Sequence, residues 1–315
     1  MCYNIIGDSM ATRTELNKEK QRKIIDEEIK DKRKKTIIFI FKFLIFTLVF
    51  FTAFFFYITY VANTKVIIKE KRIVSKKIPD NFNGLKIIHF SDIHFGTTVF
   101  DKELNDLVKN INIRKPDLVL FTGDLVDKNY KLSSKEQESI INSLKKINAS
   151  IGKYAVFGDE DKDEFSTIFN QSDFYILNND YDLLYKDNSN PILLVGLNSS
   201  LNNKINIDDG YKYFKDESHN SMIYTISMLH EPDSVDEILA SYNSDLFLAG
   251  HSHNGQVRIP GVGTIIRKKG AKKYYNEHYK IKDSELFISS GIGTNGSGMR
   301  IFTHPSINFL RLSNK

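Results

Sequence analysis

Six residues that commonly bind metal ions follow short apolar runs between positions 86 and 253 of the chain. They are Asp92, His94, Asp124, His230, His251 and His253. The runs that precede them are KIIHF, LVLFTG, TISML and LFLAG. Because strands of an α/β protein present the residues that follow them at one edge of the sheet, this repeated arrangement predicts that the six side chains meet at a single site.

The residue types indicate the chemistry of such a site. Imidazoles and carboxylates suit Mn, Fe, Zn, Ni or Co ions, and one carboxylate can bridge two ions about 3.5 to 4 Å apart. Two such ions acidify a water molecule into a nucleophile at neutral pH. The pattern therefore predicts a two-metal hydrolase that acts on a phosphate ester. Gly123 and Gly250 precede ligand candidates, where either a close backbone approach or an ordinary turn would explain a glycine.

A long apolar run, TIIFIFKFLIFTLVFFTAFFFYITYV at 36–61, contains Lys42 as its single charge. About 20 apolar residues span a bilayer core, so the run is long enough for a transmembrane helix. A cleaved signal peptide would have a shorter apolar region and a small-residue cleavage site, which 62–64 does not offer. We therefore predict a single-pass membrane protein.

Charges on either side of this run predict its orientation. Residues 21–35 carry seven Lys/Arg and residues 62–76 carry five. Basic residues favour the cytoplasmic side, so we expect a cytoplasmic N-terminus and a catalytic domain outside the cell membrane.

The net charge of +5 is distributed unevenly along the chain. Residues 1–79 contain 17 Lys/Arg against 8 Asp/Glu, which leaves 27 against 31 in residues 80–315. The basic surplus thus lies outside the catalytic domain, which argues against a nucleic-acid partner. Cys2 is the only cysteine, so disulfides and thiolate zinc sites are excluded, and initiation at Met10 would remove it.

Four segments follow from these patterns. They are a charged N-terminal arm at 1–35, either helical or disordered, a transmembrane helix at 36–61, a basic connector at 62–84 and a globular domain at 85–315. In the last segment, β-rich runs alternate with helical patterns at 100–113, 133–147 and 235–242. Runs that are apolar on both faces predict central strands of an α/β sandwich. His89 lies within the first such run and is predicted to be a packed structural residue.

The ligand segments resemble those of the calcineurin-like metallophosphoesterases, whose pattern reads D-x-H, G-D-x-x-D, G-N-H-[DE], an isolated H and G-H-x-H. The corresponding segments are SDIH at 91–94, GDLVD at 123–127, LHEP at 229–232 and GHSH at 250–253. The runs AGHSHNGQVRIP and SSGIGTNGSGMRIF are similar to the membrane-associated bacterial branch with the YaeI-type phosphodiesterases. The resemblance implies two packed mixed β-sheets flanked by helices, a four-layer αββα sandwich.

This resemblance also implies which residues hold each metal. The first metal would be bound by Asp92, His94, Asp124 and His253. The second would share the catalytic Asp124 and add Asp159, His230 and His251. Asp127 and Arg300 would support the ligands or the substrate without binding metal.

The sequence departs from the family pattern at 158–161, where Gly-Asp-Glu-Asp replaces G-N-H-[DE]. Asp159 adds a negative charge, which strengthens metal binding and weakens the Lewis acidity of the metal. Glu160 replaces the catalytic histidine, and a carboxyl group donates a proton only if its pKa is raised. Because two cations should lower that pKa, we expect slower turnover or a leaving group that needs little protonation.

The leading hypothesis is a membrane-anchored dinuclear-metal phosphoesterase that cleaves a phosphodiester or pyrophosphate bond through a metal-bound hydroxide. Its partners would be the lipid bilayer and a phosphorylated small-molecule or lipid-linked substrate. The alternative is a catalytically weakened membrane sensor or scaffold that binds metal and a phosphorylated ligand, because Asp159 and Glu160 replace Asn and His. A nuclease, the third hypothesis, fits the mildly acidic domain poorly. The sequence indicates no protein partner.

Overall fold

The computed structural model describes residues 13–63, 65–187, 190–219, 222–296 and 298–315. The chain comprises two compact units, Met1–Phe56 and Tyr57–Lys315. The division into segments at 1–35, 36–61, 62–84 and 85–315 stays a prediction.

The described part of the first unit is one long helix, α1 (Arg13–Phe56). Its first half is charged and carries pairs one turn apart, such as Lys23 and Glu19 at 2.9 Å, which support a helix in water. Its second half is apolar, and no side chain of α1 is buried. Together with the π-helical turn at Tyr57–Val61, it forms a helix that is long and apolar enough to cross a membrane.

The second unit contains two six-stranded sheets, with strands numbered in chain order. The first sheet consists of β1 (Ile67–Val74), β2 (Lys86–Phe90), β3 (Leu118–Thr122), β4 (Gly152–Val156), β5 (Tyr175–Ile176) and β14 (Ser306–Ser313). Their spatial order is β1-β14-β2-β3-β4-β5. Strands β2 to β5 are parallel, whereas β14 runs antiparallel to β2.

The second sheet has a similar mixed arrangement. It consists of β6 (Asp180–Leu184), β7 (Ile192–Gly196), β8 (Thr225–Met228), β9 (Leu246–Ala249), β12 (His278–Ile281) and β13 (Ser284–Ile288), in the order β12-β13-β9-β8-β7-β6. The four inner strands are parallel and the two edge strands are antiparallel to their neighbours. A separate hairpin pairs β10 (Arg258–Ile259) with β11 (Gly263–Thr264).

Helices cover the outer faces of both sheets. The helices are α2 (Asp101–Ile113), α3 (Ser134–Lys145), α4 (Ser166–Gln171), α5 (Ile207–Gly210) and α6 (Val235–Ser241). Alternation along β3 explains the layers, because Phe121 points toward α2, α3 and α4 while Leu120 points into the core between the sheets. In the second sheet, Phe247 packs with Ile238 of α6 in the outer core. The predicted αββα sandwich is therefore confirmed.

Most of the predicted β-rich runs form strands with boundaries shifted by a few residues. The strand pattern did not predict β5, β6 or the hairpin β10–β11, because β5 and both hairpin strands are only two residues long and β6 is half-exposed. His89 is structural as predicted, with Nε2 2.9 Å from Thr122 Oγ1 and Nδ1 3.1 Å from Asn308 Nδ2. Burial lowers the pKa of His89 to about 3, so its imidazole is neutral.

Candidate metal centre

All seven predicted ligands lie in loops at the carboxyl ends of parallel strands. Asp92 and His94 follow β2, Asp124 follows β3 and Asp159 follows β4 in the first sheet. The remaining ligands, His230, His251 and His253, follow β8 and β9 in the second sheet. The two sheets thus deliver their ligands to one shared edge, where the side chains form overlapping clusters.

The first cluster consists of Asp92, His94 and His253, all fully buried. His253 Nε2 lies 3.2 Å from Asp92 Oδ1 and 3.1 Å from His94 Nε2. Asp124 Oδ2 lies 3.6 Å from His94 Nε2, so its carboxylate closes this group. One carboxylate pair and two imidazoles converging at these separations form a set of ligands suited to a borderline divalent cation.

The second cluster consists of Asp124, Asp159, His230 and His251. His230 Nε2 lies 3.2 Å from both Asp124 Oδ2 and Asp159 Oδ1. His251 Nδ1 lies 3.0 Å from Asp159 Oδ1. Because Asp124 Oδ2 belongs to both clusters, its carboxylate is placed to bridge two cations.

Four buried atoms of the second cluster make no hydrogen bond among the described residues. They are Asp124 Oδ2, Asp159 Oδ1, His230 Nε2 and His251 Nδ1. Buried polar atoms without partners are rare in folded proteins, and the convergence of these four on one point fits a cation-binding site. The donor set and its orphaned atoms therefore fit the two-metal site that the sequence predicts.

Hydrogen bonds fix the tautomers of two histidines in the form that a metal requires. His230 Nδ1 lies 2.6 Å from the Thr122 carbonyl oxygen, and His251 Nε2 lies 2.7 Å from the Lys269 carbonyl oxygen. A carbonyl oxygen only accepts, so each of these nitrogens carries the proton. In the neutral imidazole, the opposite nitrogen of each ring then has a lone pair that faces the cluster.

The backbone of the ligand loops adopts an uncommon conformation. Five of the ligands have positive φ, namely Asp92 (52°), His94 (42°), Asp124 (61°), His251 (63°) and His253 (50°). Each such residue costs about 1 kcal/mol or more unless its surroundings hold it. Contacts between loops do so here, since Asp92 N donates to Gly123 O at 2.8 Å and His94 N donates to Asp124 O at 3.1 Å.

Glycines allow the loops after β3 and β4 to touch. A Cβ atom on Gly158 would lie 2.2 Å from Asp124 Oδ1, and one on Gly123 would lie 2.5 Å from Gly158 N. Gly123 also has a φ of +93°. The predicted close backbone approach is therefore confirmed at Gly123, and Gly250 behaves similarly, because its Cβ would lie 2.7 Å from Asp92 Oδ2.

Asp161 holds the same two loops together. Its Oδ2 accepts from the backbone N–H groups of Asp124 (2.7 Å) and Gly158 (2.9 Å), and its Oδ1 accepts from that of Leu125 (2.8 Å). Burial and the charge of Asp124 raise the pKa of Asp161 to about 6, against the effect of these donors. A cation on Asp124 would offset that repulsion. Sequence reasoning assigned Asp161 no role, although it occupies the acidic position that ends the family pattern.

Glu160, which stands at the family's catalytic histidine position, faces His94, and its carboxylate forms a third candidate ligand group with His94 and Asp124. Its Oε2 lies 3.3 Å from His94 Nδ1 and accepts from Lys128 N at 3.0 Å, while Oε1 accepts from Asn295 Nδ2 at 2.6 Å. Burial works to raise its pKa, but the contacts with His94 and Lys128 hold the pKa of Glu160 at about 2. Glu160 is therefore ionised at neutral pH and has no proton to donate.

The two predicted supporting residues lie outside the clusters. Asp127 Oδ1 accepts from Asn129 N at 2.9 Å and so stabilises the turn after the ligand loop. Arg300 is fully buried, and its Nη2 donates to the carbonyl oxygens of Gly291 (3.1 Å) and Gly293 (2.6 Å). Gly293 N in turn donates to Asp92 O at 2.8 Å. Arg300 thus stabilises the segment at Gly293, which in turn contacts the loop of Asp92.

Lys268 was not predicted to belong to the site. Its Nζ atom is buried and has no hydrogen-bond partner among the described residues. Burial lowers the pKa of His253, and the charge of Lys268 lowers it further, which places this ammonium group within electrostatic reach of the first cluster. The sequence offers no signal for this role, because Lys268 lies in a run of basic residues that resembles an ordinary solvated loop.

We expect Asp161→Asn to weaken metal binding by about 10- to 100-fold, because the amide replaces one acceptor oxygen with a donor that faces backbone N–H groups. The affinity of the full chain for Mn²⁺ would be measured by calorimetry. Asp163→Asn is the matched control, since the Asp163 side chain is 83% exposed and forms an ion pair with Lys204. Equal affinities for both variants would contradict this role of Asp161.

Comparisons with known proteins agree with this geometry. The profile of the calcineurin-like phosphoesterase family matches residues 85–255. Uncharacterized metallophosphoesterase YkuE of Bacillus subtilis is 28% identical over 248 residues, which cover 77% of this chain and 84% of YkuE. UDP-2,3-diacylglucosamine pyrophosphatase LpxG of Chlamydia muridarum is 24% identical over 291 residues, which cover 75% of this chain and 86% of LpxG.

A relative from an animal also matches. A transmembrane protein with metallophosphoesterase domain of Danio rerio is 22% identical over 244 residues, which cover 74% of this chain and 54% of that protein. The family match spans more than half of the chain and contains every residue of both ligand clusters. The chain belongs to the calcineurin-like phosphoesterase family.

Proposed function

We propose that the protein is a membrane-anchored phosphoesterase that hydrolyses a phosphodiester or pyrophosphate bond with two divalent cations. The observation that carries this proposal is the set of buried, unpartnered ligand atoms that meet at the Asp124 carboxylate. Mn, Fe, Zn, Ni and Co all suit the mixture of imidazole and carboxylate. Family membership supports the class of reaction, a phosphoric ester hydrolysis.

The ligands divide into two sets that share Asp124. One cation would be held by Asp92, His94, Asp124 and His253, and the other by Asp124, Asp159, His230 and His251. When bound, the two cations would polarise the phosphoryl oxygens and acidify a water molecule. Thr122 O and Lys269 O keep His230 and His251 in their binding tautomers, so little reorganisation is needed when a cation binds.

In this proposal Lys268 binds the phosphoryl group of the substrate. Its buried ammonium group has no hydrogen-bond partner among the residues that the structure describes, and a lysine ammonium is a common point-charge ligand for phosphate. A donor that is already oriented in a site shielded from water stabilises developing negative charge without reorganisation. Lys268 would thereby supply part of the positive charge that the family's histidine provides at the position of Glu160.

Glu160 in turn positions His94. Its carboxylate faces His94 Nδ1 at 3.3 Å, which orients the ring and increases the basicity of Nε2 toward a metal. Because Glu160 is ionised, the leaving group must depart without a proton from this residue. We infer that the substrate has a leaving group of low basicity, such as the phosphate of a pyrophosphate bond. LpxG, a relative of this chain, is named as a pyrophosphatase of a diacylated nucleotide sugar, which supports a lipid-linked pyrophosphate among the candidates.

The second candidate function is a membrane sensor or scaffold that binds metal and a phosphorylated ligand with weakened catalysis. The position of Glu160 favours this reading, since both of its oxygens are engaged by Lys128 and Asn295 and by contact with His94. The intact ligand set favours the enzyme.

Membrane anchoring at 36–61 is part of the proposal, with the N-terminus in the cytoplasm and the catalytic domain outside. The length and composition of the helix support anchoring, as does a relative from Danio rerio that is named as a transmembrane protein. The basic surplus before the apolar run supports the orientation. Membership in the YaeI-type branch remains a proposal that rests on the run AGHSHNGQVRIP.

We expect Asp124→Ala to remove the shared ligand and so to abolish binding of two cations. Hydrolysis of bis-p-nitrophenyl phosphate by the full chain should fall by about 10³-fold or more, since metal activation supplies several kcal/mol of transition-state stabilisation. Metal content would be measured by mass spectrometry of the purified protein. Unchanged activity or unchanged metal content would contradict the two-metal site.

Replacing Lys268 tests its contact with the phosphoryl group. Lys268→Ala should lower kcat/KM by about 10²- to 10³-fold at unchanged metal content, and Lys268→Arg should restore part of it. Lys272→Ala is the control, because Lys272 is exposed. A loss of bound metal in Lys268→Ala, or equal rates for both alanine variants, would exclude phosphoryl binding by Lys268.

Glu160→His separates the two candidate functions. If the protein is an enzyme with a poorly basic leaving group, this variant should raise hydrolysis of aryl phosphodiesters less than about tenfold from a measurable wild-type rate. A wild-type protein that binds two cations without hydrolysis, and a variant that gains activity, would instead identify the sensor or scaffold.

A further inference from the structure

A cluster of exposed apolar side chains lies on the hairpin β10–β11 and the segments beside it. We call it the apolar rim and define it as Ile259 (44% exposed), Val262 (76%), Ile265 (55%), Ile266 (72%) and Phe302 (64%). Single exposed apolar residues are ordinary, but five large ones on adjoining segments indicate a binding surface.

Backbone contacts join the members of the apolar rim. Arg258 N donates to Ile301 O at 3.0 Å, and Ile301 N donates to Gln256 O at 3.1 Å. Thr303 Oγ1 also donates to Gln256 O, at 2.6 Å. Phe302 therefore lies next to the base of the hairpin.

The apolar rim also adjoins the metal centre. The hairpin begins five residues after the ligand His253, and the segment that follows it returns to the site at Lys269, whose carbonyl oxygen is 2.7 Å from His251 Nε2. A surface that contacts the apolar rim would therefore lie beside His251 and His253 of the metal centre.

The glycine-rich segment that carries Phe302 contacts the residues that directly follow the apolar helix. Asn63 Nδ2 donates to Gly298 O at 2.8 Å, and Arg300 N donates to Ile58 O at 3.4 Å. Ile67 N donates to Pro305 O at 2.8 Å. If 36–61 crosses a bilayer, its carboxyl end at 57–61 and Asn63 lie near the bilayer surface, and Gly298 and Arg300 lie there with them.

Positive charge borders the apolar rim. Arg267, Lys269 and Lys272 are exposed and have no carboxylate partner in the part of the chain that the structure describes, whereas Lys273 pairs with Asp236 at 2.7 Å. Arg267 also stacks on the Tyr275 ring, with its guanidinium 4.0 Å from the ring centre, and stays positively charged there. Apolar side chains flanked by cations without carboxylate partners match the chemistry of an anionic lipid surface, with acyl chains beneath phosphate headgroups.

We propose that the apolar rim docks into the surface of the anionic bilayer that the N-terminal helix spans. Docking holds the metal centre at headgroup level, so the substrate class would be a phosphorylated lipid that stays in the membrane. The inference rests on the proposed function and its membrane anchor. It narrows the substrate from a phosphate ester in general to a phosphorylated lipid in the bilayer.

The absence of tryptophan from the sequence allows a direct test. Ile266→Trp and Phe302→Trp each introduce a single tryptophan, and the full chain would be reconstituted in nanodiscs of phosphatidylcholine and phosphatidylglycerol. Brominated lipid should quench both tryptophans by at least twofold. Tyr175→Trp is the control, because Tyr175 is 65% exposed and lies on β5 at the opposite edge of the first sheet from β1. Five strand spacings separate β5 from β1, the strand that follows the membrane anchor, which is a distance of about 24 Å. Quenching no greater than that of the control would overturn the proposal.

Two further measurements separate the possible outcomes. Discs of phosphatidylcholine alone should give weaker quenching, and equal quenching in both discs would overturn the role of Arg267, Lys269 and Lys272. Protection of the introduced tryptophans from acrylamide without quenching by brominated lipid would show a second protein on this face, and would likewise overturn docking.

Ile266→Asp distinguishes failure of docking from failure of the proposed function. In a protein that also carries Phe302→Trp, it should reduce quenching of the tryptophan while hydrolysis of the soluble bis-p-nitrophenyl phosphate stays within twofold. Unreduced quenching would contradict docking. Quenching in a protein that hydrolyses neither a phosphodiester nor a pyrophosphate would leave docking standing and remove the proposed function.

Discussion

The position of the Asp124 carboxylate is the constraint on which the rest of the site depends. One oxygen of this group must face His94 from the first cluster and His230 from the second. That position exists only because Gly158 lets the neighbouring loop approach within a distance that any side chain would block. Asp161 then fixes the two loops through three backbone N–H groups. A bridging ligand is thus set by the backbone, and the αββα sandwich provides the rigid base for it.

The fold explains how strained loops persist at this edge. Positive φ at five ligands is unfavourable for each residue, but each loop is held between a buried strand and the next loop. The apolar core between the sheets keeps the ends of β2, β3, β8 and β9 in register. Backbone strain is thus concentrated at the ligand candidates, and a well-packed core holds the strands that carry them. This arrangement is expected for a site whose ligands must be held in position before a cation binds.

Glu160 and Lys268 distinguish the proposed substrate of this protein from one whose leaving group needs a proton from the family's histidine. Ionised Glu160 contacts His94, and in the proposed mechanism the positive charge would come from Lys268 on a different loop. The same loop carries exposed apolar residues and leads back to His251. A substrate with a good leaving group and a lipid portion would satisfy both features. The departure from the family pattern and the apolar rim therefore point toward one substrate class, although they arise in different parts of the chain.

The sequence by itself determined the fold class, the apolar helix and the candidate ligands that the structure brings together, because each depends on local patterns. Apolar runs followed by Asp or His specify strands that end in ligands, whatever the order of the strands. Tertiary structure alone decided the roles of Asp161, Glu160 and Lys268. These depend on which loops meet across two sheets, and residues that are distant in sequence carry no local signal of that contact. The apolar rim is a further example, since the segment of Phe302 is brought to the hairpin by the contacts of Ile301 with Arg258 and Gln256.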